Sequence, residues 1–204
     1  PELNLKLNLE KERVLTRRAL LENLEQDLRH PASIESEYDQ FDHFRRMATD
    51  MLLDSPVREA YDLEREDPRI RTMYSDHICG QSMLLARRLV EARVPIVTVA
   101  CAAGDLNGSV GDHWDTHKDN FNRLKNTMLP AFDRPAAALL DDLSERGMLD
   151  ETLVVFLTEF GRTPKINGGA GRDHFPNCYS IALAGGGIRG GEVYGESDKS
   201  GAEP

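Results

Sequence analysis

Three short runs of this chain set histidine beside carboxylate, the residue types that hold divalent metal ions or move protons. The first is Asp112-His113-Trp114-Asp115-Thr116-His117. Its imidazoles and carboxylates can offer nitrogen and oxygen to one ion, a donor set that suits zinc, manganese or iron better than calcium. The same run also reads as a loop whose His and Asp hydrogen-bond locally and cap the next helix. The second is Glu159-Phe160-Gly161-Arg162-Thr163-Pro164. Glu159 ends an apolar run, where a carboxylate is costly unless it is paired, hydrogen-bonded or bound to a cation. Arg162 is either its ion-pair partner, or a clamp for a phosphate-like anion beside a metal-ligating Glu159. The third is Gly171-Arg172-Asp173-His174-Phe175-Pro176, which taken alone is a turn with an exposed histidine.

Other motifs carry less. Residues 185–191 read GGGIRGG and match G-x-G-x-x-G. A dinucleotide fingerprint must open a helix whose N-terminus holds pyrophosphate. Here Glu192-Val193-Tyr194-Gly195 follows, which predicts a short strand or hairpin, so the run is a turn. There is no G-x-S-x-G elbow and no Walker loop. Cys79, Cys101 and Cys178 are odd in number and form no C-x-x-C. They suggest neither a disulfide framework nor a thiolate zinc site, and without a paired base nearby in sequence they read as inert buried thiols. His30 and His43 fall on charged helical stretches, and His77 precedes a helix.

The elements that must position the three clusters lie in the C-terminal part. Residues 95–101 are a short β-branched apolar run that predicts a buried strand; 152–158 and 179–184 predict two more. Residues 81–92 predict a helix burying Met83, Leu84, Leu85 and Leu89. Helical patterns also cover 120–127 and 130–146, the latter with Leu139, Leu140 and Leu143 apolar. Pro135 is expected to kink it and Gly147 to stand at its C-cap. Strand, helix, strand with uninterrupted apolar strands predicts an α/β domain with a mostly parallel sheet flanked by helices. In such sheets ligands bind beyond the carboxyl ends of the strands, where the three clusters would fall.

Residues 1–75 differ, being rich in charge and helix formers. Val14, Leu15, Leu20, Leu21, Leu24 and Leu28 have near-helical spacing over 10–28, and Phe41, Phe44, Met47 and Met51 repeat it less strictly over 33–53. Ser55-Pro56 and Asp67-Pro68 each read as an N-cap with proline at the first helical position. The expected organisation is a helical cap or flank over 1–75 and an α/β core over 76–204.

The chain has 204 residues, 40% hydrophobic and 29% charged, a globular balance. Its net charge of −10 disfavours nucleic-acid partners, since no basic patch offsets it. No apolar run reaches the roughly 20 residues of a membrane span. The chain opens on Pro1 and closes on Gly201-Ala202-Glu203-Pro204, which suggests a fragment or a processed chain.

At its three clusters the sequence resembles a known family. The matching stretches are WDTH at 114–117, LLDDLSERGMLDETLVVFLTEFGRTPKIN at 139–167 and GRDHFPNCYSIALAGGGIRGGEVYGESD at 171–198, with EDPRIRTMY and GQSMLLARRLVEARVPIVTV within 66–99. They resemble the domain-of-unknown-function family fifteen-hundred-and-one, often labelled sulfatase-like, within the alkaline phosphatase superfamily. The resemblance implies an alkaline-phosphatase-like core with a site for one or two divalent ions. The implied activity is hydrolysis of small-molecule phosphate or sulfate esters. By position Asp115, His117 and His174 are similar to ligands of one metal site and Glu159 to the carboxylate of a second. Asp173 and Arg162 are similar to a further metal-site residue and an anion contact.

The match also implies departures. Phe160 stands where many superfamily members carry His or Asn, which speaks against a second ion. Members carry an upstream strand with the presumed nucleophile, so the resemblance implies that this chain begins beyond it and is inactive alone. Members often start with a twin-arginine signal, implying export of the parent to the periplasm or cell exterior. The alternative expectation is a catalytically silent binding or structural protein of the same fold.

Overall fold

A computed structural model describes residues 11–27, 41, 43–47, 56–102, 104 and 113–204. The chain divides into two compact units, Pro1–Asp62 and Leu63–Pro204. In the first, α1 spans Lys11–Asp27, residues 43–47 are helical, and α2 spans Pro56–Ala60. The expected helix over 10–28 is thus present, although Leu15, Leu20, Leu21 and Leu24 are exposed on it. Leu28, Met51 and Ser55 lie outside the described residues.

In the second unit, α3 (Pro68–Tyr74) begins as its sequence dictates: the Asp67 carboxylate accepts the Arg69 backbone N–H at 2.8 Å, and Pro68 needs no donor of its own. The helix α4 (Ile78–Glu91) is capped by His77, whose Nδ1 accepts the Cys79 N–H at 3.2 Å. Next come α5 (Asn120–Arg123), a π turn (Leu124–Met128) and α6 (Leu129–Glu145). α6 continues through Pro135 without interruption, and a π turn precedes it. At the other end Gly147, at φ 67°, donates to the Ser144 carbonyl at 2.9 Å while Met148 donates to Leu143 at 2.8 Å. This paired closure of a helix C-terminus needs the left-handed backbone that glycine adopts without strain.

The core forms where α3, α4 and α6 meet. Tyr74, Cys79, Met83, Leu84, Ala136, Ala138, Leu139 and Leu143 are buried there, and Val99, Phe132, Val154 and Phe156 pack against them. Each buried Leu or Met contributes about 1.5–3 kcal/mol. Through the same layer runs an ionic network. The Arg87 guanidinium, 1% exposed, pairs with Glu66 and Glu91, and its Nε lies 2.8 Å from Asp142 Oδ2 without hydrogen-bond alignment. Tyr74 Oη donates to Asp142 Oδ2 at 3.1 Å, and Arg146 reaches Asp142 at 2.6 Å.

The sheet differs from the expectation. Among the described residues there are two small antiparallel pairs and no mostly parallel sheet. β1 (Leu153–Phe156) pairs with β4 (Ala182–Gly185), Leu153 opposite Gly185 and Phe156 opposite Ala182. β2 (Gly161–Arg162) pairs with β3 (His174–Phe175). The reason lies in the connections. From β1 the chain returns through the tight β2–β3 excursion, with no helical crossover, so β4 comes back antiparallel. Residues 95–101, expected as a buried strand, form no strand and join no ladder, and only one side is covered: Val97, Val99 and Cys101 are half-buried while Ile96 is 82% exposed. Residues 185–191 form a turn, with Gly185, Gly186, Gly187 and Gly191 at positive φ and no helix following.

Candidate metal centre

Two loops carry the chemistry. One, residues 113–119, leads into α5; the other, residues 163–173, joins β2 to β3. Backbone bonds zip them together. Asp119 N–H donates to Gly169 at 3.0 Å, Asn120 to Ala170 at 2.9 Å and Arg172 to Thr116 at 3.1 Å. The seat is tight: a Cβ on Gly171 would meet the His117 carbonyl oxygen at 2.0 Å, so only glycine passes there. The first loop is also fastened to the core. Trp114 Nε1 donates to the Cys101 carbonyl, and its ring meets Phe132 edge-on at 6.0 Å.

This packing brings Asp115, His117 and His174 together, three exposed side chains whose ligand atoms lie within 4.8 Å of one another. Asp115 Oδ1 is 2.9 Å from His117 Nε2 and 2.7 Å from His174 Nε2. Atoms bound tetrahedrally to one zinc ion at about 2.0–2.2 Å lie roughly 3.3–3.6 Å apart, so the three side chains, hydrogen-bonded here, need spread only by about half an ångström to take an ion. The other nitrogen of His117 is already engaged, Nδ1 lying 2.7 Å from Asp173 Oδ1. A carboxylate on the far nitrogen fixes ring and tautomer, and metal-binding histidines are oriented in this way. The donor set of two imidazole nitrogens and one carboxylate oxygen fits zinc, manganese or iron.

The remaining expected residues take distinct places. Asp173 lies behind His117, outside the group of three. Arg162 stands opposite His174 across the β2–β3 pair, so both reach Asp115. Its Nη2 donates to Asp115 Oδ1 and to the Trp114 carbonyl, each at 2.9 Å, and its Nη1 to the Arg172 carbonyl at 3.3 Å. Its ion pair is therefore with Asp115, where the sequence suggested Glu159. Glu159 is exposed on the same cleft and is not brought into the group. Phe160, beside it, lays its ring 4.3 Å from that of His174. His113 Nδ1 accepts the Asp115 N–H at 3.2 Å, the local role open to it; Asp112 lies outside the described residues.

Charge at the centre follows from these contacts. The His174 hydrogen bond holds the Asp115 carboxyl down at about 2; slight burial opposes this, and Arg162 and His117 add to it. Asp173 is also held below its usual value, first by His117 and then by Asn167. Asn167 was missed in the sequence reading. Its Nδ2 donates to the His117 carbonyl at 3.0 Å and to Asp173 Oδ1 at 3.2 Å, while its Oδ1 accepts Gly169 and Gly171 N–H. The signal was present: Asn167-Gly168 is a strong hairpin-turn dipeptide.

Fold and site together define helices packed around one core, two antiparallel β-pairs, and an open centre of two histidines and an aspartate. A family model described as Protein of unknown function (DUF1501) matches residues 1–204, and the chain belongs to that family. No curated protein and no solved structure matches it. Among the described residues no helix is long and apolar enough to cross a membrane.

Proposed function

We propose that this chain supplies the metal-binding side of a metal-dependent hydrolase of small phosphate or sulfate esters, the chemistry that the sulfatase-like resemblance implies. The observation that carries the reading is the convergence of Asp115 Oδ1, His117 Nε2 and His174 Nε2, with Asp173 behind His117. A divalent ion bound there would polarise an ester oxygen and lower the pKa of coordinated water. The protein's own part is positional. Asp173 orients His117, Arg162 pins Asp115, and Phe160 covers one face of His174. Occupancy requires both Nε2 atoms to be unprotonated. Glu159, outside the group, favours one ion over two.

The test is metal content by elemental mass spectrometry, followed by an ester-substrate screen. About one zinc, manganese or iron per chain, lost in His117→Ala, supports the centre. Ester hydrolysis that survives loss of both His117 and His174 overturns the assignment of that chemistry to this centre. A second reading is a metal-binding protein without ester chemistry. Arg162 favours it, because its Nη groups are committed to Asp115 and to the Trp114 and Arg172 carbonyls, and so are not turned toward an anion. Stoichiometric metal with no turnover of any phosphate or sulfate ester would establish it.

A further inference from the structure

Asn167 stands in the connection between β2 and β3, and its amide is used to capacity. Oδ1 accepts the Gly169 N–H at 2.9 Å and the Gly171 N–H at 3.0 Å. Nδ2 donates to the His117 carbonyl at 3.0 Å and to the Asp173 carboxylate, at 3.2 Å to Oδ1 and 3.4 Å to Oδ2. An amide offers two lone pairs on oxygen and two protons on nitrogen, and here each meets a complementary group. The partners also fix which way the amide faces. Turned over, Oδ1 would meet a carbonyl and a carboxylate, and Nδ2 would meet two N–H donors.

The consequence falls on His117, which is held at both ends by contacts that lead to Asn167. Its backbone carbonyl accepts from Asn167 Nδ2 directly. Its ring Nδ1 lies 2.7 Å from Asp173 Oδ1, the oxygen that Asn167 also holds. Asp173 has a further tether, its backbone N–H donating to Thr163 Oγ1 at 3.1 Å, but that bond fixes its main chain and leaves the carboxylate to be oriented by Asn167.

We propose, resting on the metal reading of Asp115, His117 and His174, that Asn167 is a positioning residue of that centre: it aims His117 Nε2 at the ion, through Asp173 at the ring and through the carbonyl at the backbone. Aspartate at this position separates the two halves of the amide's work. It keeps an oxygen for the Gly169 and Gly171 N–H groups, so the loop stays closed. It turns a second oxygen, with no proton to give, toward the His117 carbonyl and Asp173, so the hold on His117 is lost. Partners that orient a metal-binding histidine from behind contribute about 10–100-fold to affinity.

The experiment measures zinc affinity, by competition with a chromogenic chelator, for wild type, Asn167→Asp, Asp173→Asn and the double variant. It adds Tm and the ring-nitrogen NMR shifts of His117 in the metal-free proteins at constant pH. Asn167→Asp should keep one zinc per chain and the wild-type Tm, yet bind about 10–100-fold more weakly. The added negative charge by itself favours a cation, so a fall reads the lost donor. In the Asp173→Asn background the same substitution should cost little more, because both residues act on one ring. That comparison decides even if Tm falls, since a general loosening of the loop would add in full. Unchanged or tighter zinc binding by Asn167→Asp, or a loss fully additive with that of Asp173→Asn, overturns the proposal. If wild type binds no zinc, the metal reading fails on its own and the metal-free proteins decide. His117 shifts that move in Asn167→Asp then uphold the positioning role, and shifts that match wild type overturn it.

Discussion

Asp115 Oδ1 receives His117, His174 and Arg162 at once, so the centre is sensitive to single atoms. His117→Ala removes a ligand and should abolish stoichiometric metal. Asp173→Asn keeps the ligands but weakens the hold on His117, and should lower affinity about 10–100-fold with stoichiometry retained. Competition against a chromogenic chelator separates the two outcomes. Acid tests the same cluster in the metal-free protein. The Asp115 carboxyl is lowered from 3.8 to about 2. A depressed carboxyl contributes stability that is present above its usual value and lost as pH falls toward the folded one. The urea midpoint should therefore carry a component that fades between about pH 4 and pH 2, and Asp115→Asn should lack it.

At the scale of elements, the centre depends on how the β2–β3 connection seats against residues 113–119. Gly171→Ala would drive a Cβ into the His117 carbonyl and should cost tenfold or more in metal affinity, an overpacking of about 1–3 kcal/mol. Its control is Gly168→Ala, where the added carbon meets nothing within 4 Å and binding should not change. Far-UV circular dichroism should be the same for both, because neither residue touches the helices. The helices themselves were legible in the chain. Asp67-Pro68 starts α3 and Gly147 ends α6 by contacts among near neighbours. Strand pairing was not: the apolar run that became β1 has the same composition whether its partner lies parallel or antiparallel.

At the scale of the second unit, α3, α4 and α6 share one buried ionic network. Removing Arg87 takes a buried cation from the carboxylates of Glu66 and Asp142. Arg87→Ala should therefore cost about 3–5 kcal/mol, read as a shift in the denaturant midpoint. Burial pushes the carboxyl of Glu66 up, but its hydrogen bonds to Arg87 and Arg88 outweigh this and hold it below its usual value. Glu66 lies just ahead of α3 and Asp142 on α6, so Arg87 on α4 ties together parts of the chain that the hydrophobic pattern alone leaves unordered. Arg87 appeared in the sequence as one more charge on a helix.

The sequence by itself determined the helices, their caps and the turn at 185–191, because each rests on residues within a few positions of one another. It also marked Asp115, His117 and His174 as chemistry-bearing, through residue type and the family pattern. Only the tertiary structure decided which of the marked residues meet. His174 reaches Asp115 because β3 pairs with β2, Asp173 turns behind His117, and Glu159 stays apart. Contacts between residues distant in the chain depend on register and packing, and local composition does not encode those.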